Sequence, residues 1–294
     1  MNYIYKPNTY RKPSVCKQQR GYVLGRLIAQ SSVSCWCAGL FFYIAAHLPQ
    51  WVGGGFGENN ILNTVKEMKK IELILKSFLG LMFLICFMGI ALFVPYGGLS
   101  YSLAWVYLIV FAVSVVWITV YLFFFDKHLL KSRLVAGPVA ETRTIQKVIQ
   151  FIASLAFIGI FLVSAFDYKN KWSDVPFEFS YVADFFCVLA FVLLFYVFKQ
   201  NTFLSATIEI QEKQQVISTG LYGIVRHPMY TGAFILLLFT PIALGSYYGL
   251  FPVLILVAVI VYRAIDEEKE LKQNLIGYKA YCKKIKYRLI PFVF

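Results

Sequence analysis

Residues 219–232 read TGLYGIVRHPMYTG, a polar island in a chain otherwise rich in Phe, Leu, Ile and Val. These fourteen residues hold three Gly, one Pro, two Tyr, an Arg and one of the protein's three His. Apolar runs flank the island: about 181–198 before it, and about 231–245 and 249–265 after it. Only Gly245–Tyr248 separates the last two runs, so they are expected to form a tight helical hairpin that starts in the island. Pro228 suits the first turn of that hairpin, where a missing N–H costs nothing. Thr219 and Gly220 suit a turn just upstream. A helix start at a membrane edge offers free N–H groups and a positive dipole end, and Arg226 and His227 beside it favour a carboxylate or other anion.

Composition extends this reading to the whole chain. Of 294 residues, 59% are hydrophobic, 18% aromatic and only 15% charged, yet the formal net charge is +13. A soluble domain is about a quarter charged. Further apolar runs lie at about 72–94, 101–125 and 148–166, and ~18–20 such residues cross a ~30 Å hydrocarbon core as a helix. The expected fold is therefore all-α: a polytopic membrane protein of about six to seven spans with a C-terminal helical hairpin. The seventh candidate, 27–48, carries three Ser, Gln30 and His47 and follows a leader with six Lys/Arg and no acid; it reads as interfacial or re-entrant. The leader delays the first apolar run too far for a cleavable signal peptide. Three regions follow: an N-terminal extension at 1–70, transmembrane helices at 71–198, and a C-terminal region at 199–294 that carries the chemistry.

The 126–147 loop has five Lys/Arg, the 199–230 loop three and the 266–294 tail seven, whereas 95–100 has none. The positive-inside rule places the first three in the cytoplasm. No recognition-helix or zinc-finger pattern accompanies the basic charge, so membrane lipids rather than nucleic acid are its expected partners. The six Cys show no metal-binding spacing and read as small core or lipid-facing residues.

A second constellation occupies 262–291, YRAIDEEKELKQNLIGYKAYCKKIKYRLIP. Arg263 and Glu267 stand four apart, on one helical face. Arg263 ends an apolar helix, where an ionisable residue is a functional candidate. Glu268, Lys269 and Lys272 read as a solvated helix face, and Lys283, Lys284, Lys286 and Arg288 as contacts to anionic head groups. The tail is expected to be helical to about Lys284.

The polar island followed by R-x-x-x-E-E-x-x-L and GYKAY resembles the isoprenylcysteine carboxyl methyltransferase family, whose wider group includes integral-membrane phospholipid N-methyltransferases. FFFDKHLLKSRL, GPVAETRTIQK and KWSDVP add a weaker likeness to bacterial members upstream. The resemblance implies an S-adenosylmethionine-dependent methyltransferase with a cytoplasm-facing cofactor pocket and a lipophilic or lipidated substrate entering from the bilayer. It assigns Gln214, Gln215, Val216 and Ile217 to the cofactor, Tyr222 to packing on it, and His227, Pro228, Met229 and Tyr230 to the wall around it. Glu267 would hydrogen-bond the cofactor, and Arg263 would face the acceptor. Methyl transfer to a carboxylate is an in-line displacement that needs alignment and exclusion of water more than a strong base. A guanidinium fork suits a carboxylate, whereas an amine acceptor must also lose a proton. Three other readings remain open: a phospholipid N-methyltransferase; a membrane sterol reductase, whose class shares an R-H-P-x-Y element and uses a nicotinamide cofactor; and a non-catalytic membrane protein of the same architecture.

Overall fold

The computed structural model describes residues 58–134, 144–202, 204 and 216–294. Eight α-helices and one short 3-10 turn make up the described fold. They are α1 (Glu58–Tyr96), α2 (Ser102–Phe125), α3 (Lys127–Leu134), α4 (Thr144–Asn170), α5 (Phe177–Gln200), α6 (Pro228–Ala243), α7 (Leu250–Asn274) and α8 (Tyr278–Lys284), with the 3-10 turn at Gly220–Gly223. The 27–48 segment lies outside the described residues. α1 runs unbroken through Lys70, so the amphipathic stretch and the first span form one helix.

Four helices are long and apolar enough to cross a bilayer: α1 from Lys70, α2, α4 and α5. The protein is an all-α integral membrane protein. The other two spans expected from the sequence are the arms of the hairpin. At 16 residues α6 is shorter than the four, about 24 Å at 1.5 Å per residue. α7 is apolar only until Tyr262, then turns charged.

Apolar residues cover both faces of the spans. On α2, Tyr107, Phe111, Ile118 and Leu122 are buried, while Ile109, Val113, Val120 and Phe124 are exposed. That is how a lipid-facing helix reads: its outer face needs no polar residues. Lipid removes the hydrophobic drive between helices, so close packing and buried hydrogen bonds must hold the bundle. α6 packs along α5, α1 along α4, α4 against α7 and α2 against α5. Gly232 allows α6 to lie close against α5, since a Cβ there would stand 2.9 Å from Leu194. The Tyr107 hydroxyl lies 2.9 Å from that of Thr240, and the Tyr101 hydroxyl donates to the Leu244 carbonyl.

The hairpin turn is pinned from outside. Fully buried Asp167, near the end of α4, accepts hydrogen bonds from the Ser173 N–H (2.7 Å), the Ser173 hydroxyl (2.6 Å), the Ser246 hydroxyl (2.5 Å) and the Tyr248 N–H (3.2 Å). With its turn fixed there, the hairpin presents the start of α6 and the charged end of α7 together at the opposite end of the bundle. The charged tail is not one helix. Gly277, at φ +87°, breaks it between α7 and α8, a left-handed conformation that glycine adopts at little cost.

Candidate functional site

The island folds as two turns and a helix start. Gly220, at φ +58°, opens the 3-10 turn, and a Cβ there would fall 2.4 Å from Gln200 Nε2. Gln200 instead takes the Leu221 N–H on its Oε1 (3.1 Å). This tie to the end of α5 aims Tyr222 inward, where its hydroxyl accepts from Asn201 Nδ2 (3.0 Å) and its carbonyl accepts from the Tyr281 hydroxyl (2.7 Å). His227 caps α6, and Pro228 takes the first helical position as expected. The C-terminal segment closes over this edge: the N–H groups of Arg226 and His227 donate to the carbonyls of Tyr287 (3.0 Å) and Arg288 (2.9 Å).

Arg226 and His227 do meet a carboxylate, and it is the protein's own. Glu268, only 1% exposed, has its Oε1 3.2 Å from Arg226 Nε, 3.2 Å from Arg288 Nε and 3.5 Å from His227 Nε2. Its Oε2 accepts from Lys272 (2.8 Å). The solvated-face reading therefore fails for Glu268, and the head-group reading fails for Arg288, which turns inward to Glu268 and over the Phe294 ring. Periodicity alone could not show that chain ends distant in sequence converge on position 268. Burial raises the Glu268 pKa, but contacts from His227 and Lys272 and the charge of Arg226 outweigh it and hold the group at about 2.

Glu267, one residue earlier, has a different environment. Its side chain is 30% exposed, and its Oε2 accepts from the Tyr230 hydroxyl (3.0 Å) and lies 3.9 Å from His227 Nδ1. Beyond it, Tyr278, Tyr281 and Ile285 pack against Val216, Leu271 and Leu275. Among the described residues the buried Tyr278 hydroxyl has no hydrogen-bond partner. Burial keeps the Tyr222, Tyr278 and Tyr281 hydroxyls protonated well above the ordinary tyrosine pKa. Ile217 is half-buried beside Val216, and Gln214 and Gln215 lie outside the described residues.

Arg263, one helical turn before Glu267, is 3% exposed. Its Nη1 donates to Gln146 Oε1 (3.3 Å), and Gln146 Nε2 in turn donates to Asp266 Oδ2 (2.6 Å). Arg263, Met229 and Tyr230 all line an apolar cavity of ≈ 260 Å³ inside the bundle. Leu84, Phe111, Ile118, Phe157, Phe191 and Leu237 form much of its wall. Tyr230 and Thr240 both line it, and their separation on α6 gives a depth of about 15 Å, half the ~30 Å hydrocarbon core.

The sequence-derived residues thus fall on two sides of Tyr230. Val216, Tyr222, His227 and Glu267 lie towards the polar tail, whereas Met229 and Arg263 face the cavity. Pro228 is buried at the junction. Gln146, Gln150 and Arg133 also belong to the site and were not singled out by sequence. Gln146 and Gln150 stand four apart on α4 and are both 1% exposed, a polar pair on one helical face that average hydropathy hides. The donor set on the polar side fits S-adenosylmethionine. A carboxylate and tyrosine rings suit a sulfonium and an ammonium, and the buried Tyr278 hydroxyl, without a partner among the described residues, can donate.

Residues 178–277 match the phospholipid methyltransferase family. The chain is also similar to the mouse Delta(14)-sterol reductase TM7SF2, 36% identical over 91 residues. That similarity covers 30% of this chain and 22% of the reductase, so the chain spans about a fifth of that relative's length. Over residues 178–277, about a third of the chain, it is therefore similar to the wider group of integral-membrane isoprenylcysteine and phospholipid methyltransferases.

Proposed function

We propose that this protein is an S-adenosylmethionine-dependent methyltransferase that acts on a lipophilic acceptor with an anionic head, such as a lipid carboxylic acid. The observation that carries the proposal is the position of Tyr230. It lines the apolar cavity, and its hydroxyl holds Glu267 on the polar side. One side chain thus separates a compartment fit for a cationic cofactor from one fit for a lipid chain.

When bound, S-adenosylmethionine supplies an electrophilic methyl group carried on a sulfonium. Glu267 and Tyr222 would hold and orient it, His227 and Tyr230 would wall it in, and the Tyr278 hydroxyl would add a neutral donor. Arg263 would hold the acceptor's carboxylate at the junction, and Gln146 fixes the angle of its guanidinium. The apolar wall excludes water, which would otherwise solvate the acceptor and blunt it. The site faces the cytoplasm in this reading, because the loops and tail around it carry the basic residues.

The similarity to a sterol reductase supports a second reading, in which a nicotinamide cofactor occupies the polar side and a sterol the cavity. Equilibrium binding of labelled S-adenosylmethionine and of NADPH to the detergent-solubilised chain separates the two. Saturable binding of the first, displaced by S-adenosylhomocysteine, is expected. Saturable NADPH binding without it would overturn the methyltransferase reading.

A further inference from the structure

We propose that Arg133, on α3 and outside the family-matched region, is a specificity-determining residue that selects an anionic head group in the acceptor cavity. The proposal rests on the reading of that cavity as an acceptor site. α3 follows α2 after Asp126 alone, whose Oδ1 accepts the Leu129 N–H (2.9 Å). Leu129 and Leu130 are buried at 0% and 3% exposure and press the short helix onto the bundle. Residue 133 lies three and four positions further on, hence on the same inward face.

The Arg133 side chain follows that face. Its Nη2 donates to Met229 Sδ (3.1 Å), its guanidinium stands 4.8 Å from the Phe198 ring centroid, and it lines the cavity. A snorkelling arginine would extend its head outward to lipid phosphate; this one is turned to the interior. Met229 precedes Tyr230, so Arg133 stands at the cavity end that Arg263 and Gln150 also occupy. Two guanidinia from helices far apart in sequence therefore flank one end of a predominantly apolar space. Among the described residues lining the cavity, none is Asp or Glu. Such a site favours an amphiphile whose head is negative and whose tail is a hydrocarbon chain. It disfavours a protonated amine, for which like charge is repulsive. Arg263 aligns the acceptor for transfer, and Arg133 sets which heads enter.

The test measures binding of [14C]palmitate and [14C]hexadecanol to the full chain in nanodiscs of zwitterionic lipid, without cofactor, for wild type, Arg133→Gln and Arg133→Lys. We expect wild type to bind palmitate at least about tenfold tighter than hexadecanol, the tenfold corresponding to about 1.4 kcal/mol. Arg133→Gln should narrow that preference to about threefold or less, Arg133→Lys should restore most of it, and hexadecanol affinity should stay level, showing that the cavity remains folded. A wild type without preference, or Arg133→Gln with the preference intact, would overturn the proposal. If hexadecanol affinity also falls in the Gln variant, the Lys variant decides: restored preference supports the proposal and lost preference refutes it. S-adenosylmethionine binding is scored separately. Acid selectivity with no cofactor binding sinks the methyltransferase reading alone, and cofactor binding with no acid selectivity sinks the role of Arg133 alone.

Discussion

Replacing Glu268 by Gln preserves size and polarity and removes one negative charge from the centre of the ionic cluster. Three basic residues and His227 surround that carboxylate, but their side chains differ in burial: Arg226 is 7% exposed, Arg288 31% and Lys272 36%. Leaving a buried charge without its partner costs about 3–5 kcal/mol, whereas a pair open to solvent contributes about 0–1 kcal/mol. Arg226 keeps its hydrogen bond to the Lys286 carbonyl (3.1 Å), which argues for the lower end, about 3 kcal/mol. For a chain of this size that corresponds to a melting temperature lower by about 6–12 °C. The assay is thermal unfolding in detergent at neutral pH, followed by intrinsic fluorescence. The pH dependence has a definite sign. The folded-state pKa is depressed to about 2, so the stabilisation is complete above the usual carboxylate range and is lost as pH falls from there through about 2. The gap between wild type and Glu268→Gln should be widest near neutral pH and close on acidification. A variant melting within about 2 °C of wild type at pH 7, or a gap that widens in acid, would refute the assignment of Glu268 as the charge that holds the C-terminal segment over the site.

Three further outcomes follow from the site. Glu267→Ala should weaken S-adenosylmethionine binding by about 1.5–3 kcal/mol in calorimetry, the value of a hydrogen bond to a charged group; unchanged affinity would remove Glu267 from the cofactor site. Arg263→Lys keeps the charge but loses the fork, so single-turnover rates at saturating cofactor should fall at least about tenfold, or 1.4 kcal/mol of barrier. A near-normal rate would make Arg263 an anchor. A Cys placed at Ser132 should resist impermeant thiol reagents in intact cells, and ready labelling from outside would invert the orientation.

The sequence carried local features well. Pro228 at the first helical position, the hairpin with its short turn, and Arg263 one turn from Glu267 follow from backbone geometry and helical period, and all three stand in the structure. Features made by convergence were hidden. Glu268 sits among charged neighbours and looks solvated until Arg226, 42 positions earlier, and Arg288, 20 positions later, fold onto it. Gln146 comes from a helix whose apolar average masks a single polar residue turned inward, and Arg133 from a short basic helix, KHLLKSRL, in which nothing marks it off from Lys127 and Lys131. The break at Gly277 was visible as a glycine, but only its left-handed φ shows that the tail turns there. One short arm of the hairpin and one that turns charged midway explain why apolar runs suggested six spans where four described helices meet the length and composition of a crossing segment.

Methyl transfer itself tests the account most directly. The purified chain, incubated with S-adenosyl-L-[methyl-3H]methionine and a lipid extract of its host membrane, should release a base-labile, volatile label from an extracted lipid, the behaviour of a methyl ester. Label retained after alkali in a lipid amine would contradict the anionic acceptor, and no transfer to any lipid, together with no binding of the cofactor, would contradict the methyltransferase reading itself.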